Sequence, residues 1–383
     1  MTLSRAWLGL MLVTTACSFD PGQGTNAGAP DAAPGVDVVP RVWLEPWQHR
    51  KAITLLAAQI EAPLDGALAD FPVLVKLDDA DLAAGAALAD GTDVAFTLVD
   101  STTLLDREIE SYAAGKLVAW VKLPSLPATT DTTIYMYYGN AAAPVVTGEA
   151  VWTEQFLAVY HMQENLAASH VIVDAAKDHD GTAEASMTAA DSVEGQIGNA
   201  LDFDGSNDVV DVAQVDVGAA FTISLWMNLV DEDQIHSLLA NSQDGSNTNG
   251  FRFFANSNGS NDHRIRLETG NGGSTDSVIT PMNAVTPGQW AHVAVVVERA
   301  VGRATIAVNG VVANENNDFG IRNDFSTNSD FEIGRMETNN PYIGRLDEVQ
   351  ISTTARSIEW LRTAFTNQSL PGDFYTLGDE EDR

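Results

Sequence analysis

Cysteine is nearly absent: one residue, Cys17, in a chain of 383. A lone cysteine excludes an intramolecular disulfide framework, so the fold must rest on its hydrophobic core. Basic residues are scarce too. Twenty Lys and Arg face 53 Asp and Glu, for a net charge of -33, and the last of five lysines is Lys177. So acidic a surface repels phosphate, which excludes nucleic acid as a partner. It suits high salt or divalent cations. No apolar run reaches the roughly 20 residues that a membrane-spanning helix needs. Familiar catalytic signatures are missing: there is no Gly-x-Ser-x-Gly elbow and no His-Glu-x-x-His zinc motif. What is present is 45% hydrophobic and 8% aromatic residues. That is too apolar for a disordered chain, and the length suits two or three domains.

Arg5 precedes an apolar stretch from Ala6 to Val13, followed by Thr14-Thr15-Ala16-Cys17. The stretch is too short to cross a bilayer and reads as a signal peptide over 1–16. Small residues before a cysteine resemble the lipobox of bacterial lipoproteins, although Thr14 stands where Leu is commonest. The resemblance implies that Cys17 is lipidated and becomes the first mature residue. Lipid then anchors the chain to the cell envelope, at the outer membrane or cell surface. Each buried CH₂ contributes about 0.8 kcal/mol to such an anchor. Residues 17–40, rich in Gly, Ala, Pro and Asp, read as a flexible tether.

Residues 41–148 alternate apolar and polar positions in short runs. Ala52–Leu55, Phe71–Leu77, Val94–Val99, Leu117–Leu123 and Thr132–Tyr138 each predict a strand. Only Asp79–Ala89 predicts a helix. Many short strands with turns between them argue for a sandwich or barrel. The pieces Trp47–Ile53, Phe71–Val75, Gly91–Phe96, Glu108–Glu110, Ala119–Pro124 and Tyr135–Asn140 resemble, in order, the bacterial domain-of-unknown-function family numbered 2341. That resemblance implies no activity. It does imply an exported, multidomain surface protein.

Residues 155–378 predict a second β domain. Phe221–Met227 alternates strictly, with Phe221, Ile223, Leu225 and Met227 on one face and Thr222, Ser224 and Trp226 on the other. Trp290–Val297 is nearly continuously apolar and should be central. Asn309-Gly310 between apolar runs predicts a tight hairpin. Ser357–Phe365 predicts a closing helix. Leu201-Asp202-Phe203-Asp204-Gly205, Ser224-Leu225-Trp226, Trp290–Ala294, Val308-Asn309-Gly310 and Gly344–Val349 resemble the laminin-G-like, concanavalin-type jelly roll. The expected fold class is therefore all-β: two β-sandwich domains, the second a jelly roll.

Chemistry is harder to find. Retaining glycosidases place two carboxylates about 5–5.5 Å apart. Asp231-Glu232-Asp233 lacks the alternation that would put its acids on one face. Glu108-Ile109-Glu110 has it, but reads as a solvent-facing strand. Cys17, once lipidated, offers no nucleophile. His292 reads as a packed core residue and His179 as a turn residue. No catalytic residue is expected. The jelly-roll resemblance implies a structural Ca²⁺, held by Asp174 and Asp347 where the domain's termini meet. Tyr342, Phe325 and Phe254 are aromatics near Asn-rich loops that core packing also explains. The expected function is an envelope-anchored, non-catalytic binding or adhesion protein for carbohydrate or a surface protein. A glycoside hydrolase and a structural envelope-assembly protein remain the alternatives.

Overall fold

Short apolar runs build the first half as antiparallel strands. In the computed structural model these are β1 (His49–Leu55), β2 (Ala67–Asp78), β3 (Ala95–Leu98), β4 (Arg107–Ala113), β5 (Lys116–Pro127) and β6 (Thr132–Tyr138). Phe71–Val75 and Leu117–Val121 are buried on both faces rather than half-buried as the period-two reading of Phe71–Leu77 suggests. β1, β6 and β3 lie side by side in one sheet, and β2, β5 and β4 form another. The expected helix is shorter, α1 (Ala80–Gly85). Asp79 caps it by accepting from Leu82 N at 2.7 Å. The structure describes residues 42–383 apart from 64–65, 153–154, 177, 215, 243–248, 321–329 and 337–339. The expected signal peptide, Cys17, the expected tether and Phe325 lie outside the described residues.

The second half is a two-sheet antiparallel sandwich. One sheet runs in the order Ser192–Glu194, Asn199–Asp204, Ile343–Ser352, Ala220–Leu229, Trp290–Glu298, Arg303–Val308, Val311–Asn316, and β7 (Phe156–Tyr160) pairs with Ile343–Ser352. The other runs Thr275–Ile279, Ser260–Gly270, Gly250–Ser257, His236–Ala240, Phe331–Ile333, Val210–Val212, Gly181–Ala183, Val171–Ile172. Phe221, Ile223, Leu225 and Met227 all enter the core between the sheets, as their alternation requires. Trp290–Glu298 is central and buried on both faces: Val293, Val295 and Val297 face the sandwich core, Ala294 and Val296 a second core. Asn309 and Gly310 take φ of 49° and 72°, the left-handed pair a tight hairpin needs.

That second core joins the halves. It gathers Ile53, Phe71, Leu74 and Trp120 with Val159, Ala294, Val296 and Ala307. It also takes Trp360, Leu361 and Ala364 of α2 (Ile358–Ser369), the expected closing helix, which Ser357 caps and which runs on to Ser369. The final strands, Tyr375–Leu377 and Glu381–Asp382, pair with β1. The chain's end thus belongs to the first half's sheet, and residues 42–383 form one compact unit rather than two separable ones. Among the described residues no helix is long and apolar enough to cross a membrane.

Candidate functional site

Two irregularities in the ladders create the most unusual side-chain cluster. β4 pairs Glu108 with Trp120 and Ile109 with Ala119, but Ser111 with Val118. Glu110 is the extra residue of a bulge, the device that re-aims a side chain. In the Ile343–Ser352 strand, Glu348 adopts φ of 50° where the register against Ala220–Leu229 slips. Leu346, Val349 and Ile351 therefore stay in the core, while Glu348 faces the first half. His161 follows β7 and stands between these acids.

Both imidazole nitrogens are engaged. Nδ1 lies 2.8 Å from Glu348 Oε1 and 3.6 Å from Glu110 Oε2, and Nε2 lies 3.2 Å from Glu108 Oε2. Trp120 Nε1 donates to Glu110 Oε2 at 2.9 Å, and Trp152 Nε1 donates to Glu108 Oε2 at 2.5 Å. Gln350 Nε2 donates to Glu348 Oε2 at 3.3 Å. The Glu110 and Glu348 side chains are fully buried, whereas that of Glu108 is 17% exposed. Burial, opposed by His161 and reinforced by Glu348 and Glu108, pushes Glu110 up to about 8. Burial would also raise Glu108, but His161 holds it below the usual carboxylate range. Burial would lower His161, but its three carboxylates keep it well above the usual imidazole value.

The Glu108-Ile109-Glu110 segment is therefore not the solvent-facing strand its alternation suggests. A bulge shifts phase by one residue, and the covering half arrives from the far end of the chain. The readable signals were two acids at period two and a histidine after an apolar strand. Nothing local tied them to Glu348.

The expected calcium ligands, Asp174 and Asp347, are each engaged by backbone N–H groups and do not face one another in a hydrogen bond or ion pair among the described residues. Asp174 Oδ1 accepts from Val159 N and Ala176 N, and Oδ2 from His179 N, so this carboxylate organises a turn. Asp347 is fully buried elsewhere: Oδ2 accepts from Ile197 N at 2.9 Å and Oδ1 has no partner. Neither belongs to a convergent group of three metal-capable side chains among the described residues. His179 lies in the irregular segment before the Gly181–Ala183 strand, and its carbonyl accepts from the Tyr160 hydroxyl. His292 packs between Trp226 and Phe365. Tyr342 is core and Phe254 is buried.

The two sandwich sheets differ outside the core. The Trp290–Glu298 sheet is covered by α2 and the first half, and Trp226 Nε1 donates to Gln368 Oε1 of α2 at 2.7 Å. On the other sheet one row crosses seven strands on the face away from the core. Its pairs are Thr182–Asp211, Asp211–Glu332, Glu332–Ala240, Ala240–Arg252, Arg252–Glu268 and Glu268–Ser277. The charges interlock. Arg252 and Arg266 hold Glu268 at 2.7 and 2.6 Å, and Arg335 lies 2.7 Å from Glu332 and 3.6 Å from Asp211. Beside the row Arg266 lies over the Phe254 ring at 5.7 Å.

Residues 90–164 match the model of a Domain of unknown function (DUF2341), and residues 204–362 match that of the Concanavalin A-like lectin/glucanases superfamily. The two matches lie in that order along the chain. Glu108, Glu110 and His161 fall in the first match and Glu348 in the concanavalin-like one, so the cluster is shared between them. No curated protein matches the chain. Among solved structures it is similar to the ligand-binding domain of botulinum neurotoxin serotype D in complex with N-acetylneuraminic acid. That pair is 12% identical at a TM-score of 0.45, over 57% of this chain and 52% of that one. It is also similar to the binding domain of Paraclostridial Mosquitocidal Protein 1, at 15% identity and a TM-score of 0.43, over 55% and 52%. The chain spans about half the length of these structures.

Proposed function

We propose that the chain is a cell-envelope-anchored, non-catalytic binding protein that recognises carbohydrate through the sandwich sheet of its concanavalin-like domain that lies away from the first half. One observation carries this reading: among the described residues, the sandwich sheet that does not pack on the first half bears on its outer face Asp211 and the buried Glu332, Arg252 and Glu268 in one row, held in ion pairs, with Arg266 and Arg335 partly exposed beside them. Hydrogen-bonding side chains at the strand spacing of about 4.8 Å suit a hydroxyl-rich ligand. Each acid of the row is engaged by an arginine, which favours fixed recognition over a free acid and nucleophile. Lipid on Cys17 supplies the anchor.

Glycan arrays and pull-downs with the soluble unit 42–383 test the reading. Binding that falls at least tenfold in Arg266→Ala and Arg335→Ala supports it. Absence of any bound glycan sinks it, and a captured surface protein moves the same face to a protein ligand. Release of reducing ends from polysaccharides would revive the hydrolase. Cys17→Ala should move the protein from the membrane to the soluble fraction.

A further inference from the structure

We propose that His161, Glu110 and Glu348 form a buried site for one divalent first-row transition-metal ion, with Glu108 as the outer carboxylate that orients the imidazole. One ligand atom from each of the three lies within 4.8 Å of the others. Donors sharing an ion at about 2.0–2.2 Å stand about 2.8–3.1 Å apart in octahedral and about 3.3–3.6 Å apart in tetrahedral geometry, so the site would need only small side-chain adjustments to reach either. The His161 Nδ1 separations are 2.8 Å to Glu348 and 3.6 Å to Glu110.

The charges also favour a cation whenever more than one of these acids is ionised. Among the described residues, His161 is the ion-pair partner of Glu108, Glu110 and Glu348, and no Lys or Arg joins them. Even a doubly protonated imidazole leaves two negative charges buried if all three acids ionise. Uncompensated buried charge costs several kcal/mol per ion, and a divalent ion cancels it. A separate observation points the same way. Glu110 Oε1 is buried and accepts no hydrogen bond, on a side chain with no exposure. Its free lone pairs are what a metal or a metal-bound water would take.

The surroundings resemble an outer shell. Metal-bound histidines generally donate their second ring N–H to a carboxylate. Here Nε2 faces Glu108 Oε2, which Trp152 holds, while Trp120 and Gln350 hold Glu110 and Glu348. One imidazole with two carboxylates suits Mn²⁺, Fe²⁺, Co²⁺ or Zn²⁺. Calcium prefers six to eight hard oxygens. Glu108 is the least buried of the group and lines a surface pocket with Thr92, Arg107 and Gly148, which gives an ion its way in.

Chelator-treated full-length chain, titrated with Zn²⁺, Mn²⁺ and Ca²⁺ by calorimetry and checked by elemental analysis, tests the site. The expected result is one equivalent of Zn²⁺ or Mn²⁺ that Ca²⁺ at tenfold excess does not displace. His161→Gln should abolish it. Trp120→Phe, which loses only the N–H to Glu110, should weaken it by about tenfold to a hundredfold. His49→Ala, in the exposed group with Glu380 and Asp382, should leave it unchanged. If His161→Gln does not fold, Co²⁺ quenching of tryptophan fluorescence in the unaltered chain decides, since the Trp120 ring stacks on His161 at 5.9 Å. No bound transition ion, an equivalent retained by folded His161→Gln, or no quenching by Co²⁺ each overturns the proposal.

Discussion

Burial alone decides the charge state of His292. Enclosed by Trp226 and Phe365, its imidazole is pushed down to about 4 by loss of water. A base depressed in the folded state contributes stability above its unfolded pKa and loses it as pH falls toward the folded one. The window here runs from about 6.5 down to about 4. Between pH 7.5 and pH 5 this one group should cost about 2 kcal/mol. Denaturant melts of His292→Leu against the unaltered chain at both pH values check this. The variant should lose less on acidification, and equal losses would refute the assignment. Asp174 and Asp347 show the opposite side of residue-level reading. Both were singled out by their type and motif, yet backbone N–H groups claim Asp174 entirely and one oxygen of Asp347. Which partner a carboxylate finds is not written in its neighbours along the chain.

β2 is an edge strand whose free backbone groups are served by side chains from the end of the sequence. Asn367 accepts from Leu74 N at 2.7 Å and donates to Leu74 O at 3.0 Å. The Tyr375 hydroxyl does the same for Lys76, accepting at 3.1 Å and donating at 2.6 Å. Two contacts of this kind close an edge that would otherwise pair with another chain. Asn367→Ala strands two buried backbone groups, each worth about 1–3 kcal/mol, so we expect a loss of roughly 2–6 kcal/mol in urea denaturation. A loss below 1 kcal/mol would mean that water replaces the amide. The strands themselves were legible, because alternation at period two marks a half-buried strand. Their bulges were not, because one added residue at Glu110 or Glu348 changes the facing of a side chain without changing the composition of the run.

The whole molecule is cooperative because the halves share apolar surface. Val159, Ala294, Val296 and Ala307 lie on the outer side of the sandwich, and α2 closes over them together with β2 and β5. The unit 42–383 should therefore melt in a single calorimetric transition. Fragments 42–152 and 155–383, produced separately, should lack native near-ultraviolet circular dichroism, since each exposes its share of that core and the first loses the strands that pair with β1. Two resolved transitions, or two folded fragments, would contradict this.

The sequence by itself determined the class of structure: antiparallel strands, two modules in order, the hairpin at Asn309-Gly310 and the capped helix after Ser357. These depend on neighbours within a few residues, where side-chain period and turn chemistry suffice. Only the tertiary structure decided that the end of the chain completes the first sheet and that the first half and α2 cover one sandwich sheet and not the other. It also brought Glu108, Glu110 and His161 onto Glu348, 187 residues beyond His161. Burial and charge pairing belong to positions in space, and a linear pattern carries no record of what will cover it.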